Sequence, residues 1–188
     1  MQPMDALWRA MESKLNRQGR LIIGIDGMSA SGKTGLAQRI HEACGANVYH
    51  MDDFFLTPDL RTLERLNEPG GNVDYVRFER EVLDAMKKGE PFAYHPFHCK
   101  SMSLSDPIQV VPGSIEVIEG AYSLHPYFKN PYDLRVFMRI DAQRQRKRIL
   151  KRNGEQMLQR FENEWIPMEH KYFEAFDIQS QCELIIEG

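Results

Sequence analysis

Cysteine is scarce in this chain: Cys44, Cys99 and Cys182 are the only three among 188 residues. An odd number at such wide spacing excludes a disulfide framework, and no CxxC pair exists to build a metal knuckle. A reducing cytoplasm is therefore the expected compartment. Long apolar runs are also missing. None approaches the roughly 20 residues of a membrane span, so no membrane partner is expected. The opening stretch MQPMDALWRAMESKLNRQGR carries charges throughout and lacks the apolar centre of a signal peptide. In it Leu7, Met11 and Leu15 recur at helical spacing with Trp8 beside them. That pattern predicts an amphipathic helix within residues 1–19 that packs on the domain. A net charge of −3 gives no global pull toward nucleic acid. There is no internal repeat and no low-complexity linker. With 42% hydrophobic and 27% charged residues, the chain reads as one soluble globular domain spanning 1–188.

What is present is a patterned alternation. RLIIGID, NVYHMD, SIEVIEG, LRVFMRI and CELIIE are short apolar runs of strand length. Helical patterns separate most of them, including 74–89, which Asp74 can cap and Gly89 can end. Strands alternating with helices predict a three-layer α/β/α fold around a parallel sheet of five strands. Two segments break the alternation. PFAYHPF and IQVVP flank CKSMSLSD, which predicts a hairpin insertion over 90–112. The helical region after residue 141 runs to about 177 and is expected to kink or restart near Pro167.

The first strand ends in GMSASGKT, Gly27 to Thr34, which fits GxxxxGK[ST] between a strand and a helix. Glycines let the backbone curl so that several N–H groups face one anion. The start of the following helix adds its positive dipole end. Gly27, Ser29, Ala30, Ser31, Gly32 and Lys33 are thus expected to cradle the phosphates of ATP. Lys33 supplies a point charge, and the Thr34 hydroxyl a ligand for Mg²⁺. The DxxG and NKxD elements of a GTPase are absent.

Acids stand at the expected strand ends. Asp52 and Asp53 close the second strand. A carboxylate there can take a proton from an incoming hydroxyl, help to hold a metal, or cap a turn. Glu119 closes the third strand and can accept hydrogen bonds from metal-bound water. The stretch from Arg139 to Arg152 holds seven Lys and Arg against one acid, Asp141. Arg144 and Arg148 share a helical face, with Arg152 beside it. This helix reads as a lid over phosphates or as a solvated basic face. Nucleic-acid binding fits less well, because no aromatic side chains interleave with the charges.

Together GMSASGKT, MDDFF, NVDYVRF, VIEG and the Arg-rich helix resemble the uridine kinase and phosphoribulokinase branch of P-loop kinases. MDDFF also resembles nicotinamide riboside kinases. The resemblance covers most of residues 20–188. It implies that Asp52 is the base toward the substrate hydroxyl, flanked by Asp53 and the aromatic pair Phe54 and Phe55. It implies further that Asn72 and Asp74 open the substrate-side helix and that Tyr94 lies against a nucleoside base. Arginines of a lid region over 141–160, Arg144 and Arg148 as catalytic and Arg152 as nucleotide-binding, would neutralise charge on the transferring group. The chain departs from the family's hairpin motif, reading Tyr94-His95-Pro96-Phe97-His98-Cys99-Lys100-Ser101. Here His95 and His98 read as substrate-pocket residues or as plain hairpin surface. A metal pair with Cys99 lacks a second cluster. The expected activity is transfer of the ATP γ-phosphoryl to a nucleoside hydroxyl. Nicotinamide riboside, pantothenate or a sugar are the alternative acceptors, and a binding protein without transfer is the alternative class. Self-association is left open.

Overall fold

The computed structural model describes residues 3–188. Helix α1 (Pro3–Gln18) leads into strand β1 (Leu21–Gly27), the phosphate-type loop and α2 (Lys33–Cys44). Strand β2 (Asn47–His50) ends in a 3₁₀ turn (Met51–Phe54). A loop with the short helix α3 (Leu63–Asn67) follows. The next helix is built from α4 (Tyr75–Phe78), a π-turn (Glu79–Leu83) and α5 (Asp84–Lys88). Its start is the predicted one, because Asp74 accepts a hydrogen bond from the Arg77 N–H at 2.9 Å. Gly89 ends it in the left-handed region.

The insertion consists of β3 (Phe92–Tyr94), β4 (Phe97–His98), β5 (Ser103–Leu104) and β6 (Ile108–Val110). They form two nested antiparallel pairs, β3 with β6 and β4 with β5. Strands β7 (Ile115–Glu119) and β8 (Leu134–Arg139) follow, then α6 (Ala142–Asn153), capped by Asp141. Helix α7 (Glu155–Arg160) runs through a π-turn (Phe161–Trp165) into α8 (Ile166–Ala175), and β9 (Leu184–Glu187) closes the sheet. The helical region restarts at Gly154 (φ +80°), between α6 and α7, and not near Pro167: that proline lies just after the π-turn inside a continuous right-handed helical run from Glu155 to Ala175.

The five sheet strands lie in the order β2-β7-β1-β8-β9 and are all parallel. The central strands β1 and β7 are buried almost throughout and so read as apolar runs, whereas the edge strands β2 and β9 each bury a single side chain, Tyr49 and Ile186. Leu21, Ile23 and Ile25 of β1 pack with Leu36 and Ile40 of α2 and with Leu7 and Met11 of α1. On the opposite face Ile118 and Phe137 pack with Phe54, Phe78, Val82 and Tyr172. These two cores make the three layers. No helix among the described residues is long and apolar enough to cross a membrane.

The register decides what meets at the top of the sheet. Ile25 of β1 pairs with Glu119 of β7, and His50 of β2 pairs with the same Glu119. The carboxyl ends of β2, β7 and β1 therefore open onto one crevice, where the strand order departs from the chain order. Asp52 and Asp53 reach it from the 3₁₀ turn rather than from the strand, which stops at His50. The turn buries Met51 and Phe54 in the core, and this aims the intervening carboxylates outward.

Candidate active site

The loop from Gly27 to Thr34 is shaped by positions that only certain residues tolerate. Gly27 has φ +134°, and a Cβ there would come within 2.0 Å of the Met138 carbonyl oxygen. Gly27→Ala is therefore expected to abolish nucleotide binding by pushing β1 off β8; calorimetric titration with ADP beside a thermal melt would check it. Lys33 is buried and bends back over the loop. Its Nζ donates to the carbonyls of Gly27 at 2.7 Å and Met28 at 2.9 Å. The first N–H groups of α2 follow at once and have no partner within the helix. Within the loop itself the N–H groups of Gly27, Ser29 and Ser31 are taken by Asp26, Glu169 and the Met28 carbonyl, so the expected phosphate cradle narrows to the N–H groups at the start of α2 with the Lys33 ammonium beside them.

Beside the loop, Thr34 Oγ1 donates to Glu119 Oε1 at 3.1 Å. The same carboxylate oxygen lies 2.5 Å from His50 Nδ1. That hydrogen bond raises the His50 pKa against the effect of burial. Glu119 is only 4% exposed, so its charge stays close to its partners. Hydroxyl and carboxylate oxygens are the hard donors that Mg²⁺ prefers, and Thr34 with Glu119 fits such an ion bound chiefly through phosphate and water.

Asp52 reaches solvent at the mouth of the crevice, yet protein groups crowd its carboxyl. Its pKa is raised, by desolvation first and then by the Glu119 charge; Lys33, His50 and Arg152 oppose the rise. Asp53 is raised too, again chiefly by desolvation, and takes a hydrogen bond from the Tyr94 hydroxyl. Arg77 stiffens this wall. It donates to the Asp53 carbonyl at 2.9 Å and the His95 carbonyl at 2.6 Å, and its guanidinium lies 4.3 Å from the centre of the Phe54 ring. The Asn72 amide faces the Tyr122 hydroxyl, while its own Oδ1 is buried without a partner.

Not every candidate converges on the crevice. His98 is exposed, and its Nδ1 meets Ser101 Oγ at 3.0 Å within the hairpin's own turn. His95 is exposed, with its N–H on Glu81. Among the described residues no three His, Cys, Asp or Glu side chains are grouped to hold a metal ion. The basic helix spreads its arginines. Arg144 donates to the Gly188 carbonyl at 3.1 Å, beyond the outer side of the loop. Arg148 holds the Ala30 carbonyl from outside at 3.0 Å. Arg152 is the one of the three whose charge acts on Asp52.

Three buried groups beside the loop escape a reading of sequence alone. Asp26, fully buried at the end of β1, accepts from the N–H groups of Gly27, Tyr122 and Leu124 and from the Tyr172 hydroxyl. Burial pushes its pKa up to about 6 in spite of these donors. Glu169 of α8 accepts from the Ser29 N–H at 2.9 Å and from the Ser29 hydroxyl. Tyr122 is held at φ +75°, a strained conformation that its N–H bond to Asp26 helps to fix. The available signal for Asp26 was an acid inside an otherwise apolar strand run. For Glu169 it was an acid on the same helical stripe as Tyr172 and Phe173.

No family model matches the chain. It is similar to the uridine kinase of Deinococcus deserti, with 31% identity over 135 residues that cover 64% of the chain and 62% of that protein. It is also similar to uridine-cytidine kinase C of Dictyostelium discoideum, with 25% identity over 131 residues, or 68% of the chain and 29% of that protein. The matches thus span less than two thirds of either relative's length. Among solved structures, a possible uridine kinase from Bacillus stearothermophilus superposes with a TM-score of 0.68 at 18% identity. That match covers 97% of this chain and 100% of the other. The fold is that of the P-loop kinases, and the resemblance to uridine kinases read from the motifs is borne out by these relatives.

Proposed function

We propose that the protein transfers the γ-phosphoryl of ATP to a hydroxyl of a nucleoside, with uridine or cytidine the first candidates. The observation that carries this reading is the meeting of Lys33, Thr34, Glu119 and Asp52 at one end of the sheet, which joins a phosphate cradle to a carboxylate of raised pKa. The names of the similar proteins support a nucleoside as acceptor.

The chemistry follows from the residues. Phosphates settle on the N–H groups of Gly32, Lys33 and Thr34 at the start of α2 and draw the Lys33 side chain away from the Gly27 and Met28 carbonyls. Bound Mg²⁺, held by Thr34 directly and by Glu119 through water, would offset charge on the phosphate oxygens. Asp52 takes the proton of the acceptor hydroxyl as its oxygen attacks the γ-phosphorus. The bond from that phosphorus to the bridging oxygen breaks, and ADP leaves with the electron pair. Arg152 offsets negative charge around Asp52 and the transferring group. Asp53, Phe54, Tyr94, Asn72 and Asp74 shape the acceptor side, with Asn72 Oδ1 free to accept from a substrate hydroxyl or amine. Arg148 acts on the nucleotide through the loop it braces. The protein works in the cytoplasm, where ATP and Mg²⁺ are supplied.

A coupled assay of ADP release over uridine, cytidine, adenosine, nicotinamide riboside, pantothenate and sugars tests this. ADP release that depends on a pyrimidine nucleoside supports it. Release driven only by a vitamin or a sugar moves the acceptor class. No stimulated release from any acceptor, in a protein that binds ATP, leaves the binding-protein reading.

A further inference from the structure

Ser29 is gripped from both sides by the chain that follows β8. Glu169 of α8 accepts its N–H and its hydroxyl, and Gln145 of α6 donates to its carbonyl at 3.0 Å. Both side chains are buried, Glu169 and Gln145 each to 4% exposure. One helical turn beyond Glu169, the Tyr172 hydroxyl donates to Asp26 at 2.8 Å, and Asp26 in turn accepts the Gly27 N–H at 2.7 Å. One face of α8 therefore holds the loop at two points, its entry and its third residue. The π-turn at Phe161–Trp165 lies directly before α8. Such a turn inserts an extra residue and so rotates the face that follows. The N–H groups of Gly32, Lys33 and Thr34 are left outside this grip, at the start of α2 where phosphate would bind.

We infer that Glu169 is a positioning residue that sets nucleotide affinity by fixing Ser29, so that the lid segment from α6 to α8 governs the shape of the phosphate loop. This rests on the kinase reading above. A carboxylate that only filled space would not need both donors of one loop residue. A buried carboxyl group that holds both donors of one residue is a strong tether, and the two Ser29 bonds with the Lys33 charge oppose the rise in pKa that burial imposes on Glu169.

Calorimetric titration with ADP and Mg²⁺ tests the inference without turnover. Glu169→Ala should weaken ADP binding by about tenfold, the effect of losing hydrogen bonds to a charged group. Glu169→Gln keeps the volume, so it covers the case in which the alanine variant fails to fold. Its amide can accept from one Ser29 donor only, so an intermediate loss is expected. In steady state the KM for ATP should rise while the KM for the acceptor stays within about twofold. The decisive arm is a cycle with Ser29→Ala. If Glu169 acts through Ser29, its loss costs less affinity in that background than in the wild type. Equal costs in both backgrounds, or ADP affinity unchanged in Glu169→Gln, would overturn the inference and leave the kinase reading intact. A wild type that binds no ADP would overturn both.

Discussion

Asp52→Ala is expected to bind ATP about as well as the wild type and to transfer its γ-phosphoryl about 10²–10⁴ times more slowly, the usual contribution of a general base. The separation follows from geometry. Asp52 belongs to the turn after β2, and the phosphate cradle is built from the loop after β1 and the start of α2. Removing the carboxylate also removes a negative charge from the neighbourhood of Lys33, so nucleotide affinity can only hold or improve slightly. Asp52→Asn keeps the shape and should lose turnover to a similar degree. The raised pKa adds a second signature. Desolvation and then Glu119 hold the carboxyl above its ordinary value, so wild-type kcat/KM should fall as pH drops through that raised pKa. Rates from pH 4 to 8 for wild type and Asp52→Asn, with ATP binding measured in parallel, check both parts. Unchanged turnover in Asp52→Asn would remove Asp52 from the chemistry.

The largest effect on stability is expected at Asp26. Its carboxylate takes four hydrogen bonds, at 2.7, 2.9 and 3.2 Å from backbone N–H groups and at 2.8 Å from Tyr172. Asp26→Ala strands four buried donors. The cost should be about 3–5 kcal/mol, a large share of the stability of a domain this size. That amounts to a drop of about 10 °C in midpoint, read by calorimetric or fluorescence melting. The pH dependence has a definite sign. Asp26 titrates near 3.8 when unfolded and at about 6 when folded, so the native state binds the extra proton between these values. Its contribution is fully present below pH 3.8 and is lost as pH rises through about 6. Relative to Asp26→Asn, the wild type should therefore gain about 3 kcal/mol on acidification across that window. A difference between the two proteins that stays flat from pH 4 to 7 would contradict the buried, proton-holding role.

The two carboxylates differ in how far the sequence disclosed them. Asp52 follows a strand-like run and precedes an aromatic pair, so it was legible as chemistry. The structure differs only in placing it in a 3₁₀ turn, two residues past the end of the strand. The five strands were legible as short runs rich in aliphatic and aromatic residues: β1 and β7 are buried almost throughout, and the edge strands β2 and β9 still send Tyr49 and Ile186 into the core. The loop was legible because backbone curling and anion binding demand glycine, lysine and a hydroxyl at set positions. Asp26 and Glu169 were not, because their partners lie 96 and 140 residues away along the chain. Periodicity reports which face is buried and is silent on which polar group waits there. The π-turns at Glu79–Leu83 and Phe161–Trp165 were invisible for a related reason: one inserted residue leaves the composition of a helix unchanged. The basic helix shows the converse limit. Charge and spacing marked Arg144 and Arg148 as one face with Arg152 beside it, but the register of α6 sends them to three different partners.

The phosphoryl group is expected to pass from ATP to a nucleoside hydroxyl rather than to water. ³¹P NMR of the protein with ATP, Mg²⁺ and uridine reads this directly. The γ signal of ATP should decline while a phosphomonoester resonance, split by the protons on the carbon that carries the new phosphate, grows in equal amount. Growth of inorganic phosphate alone, or a γ signal that persists while ATP is bound, would contradict the account.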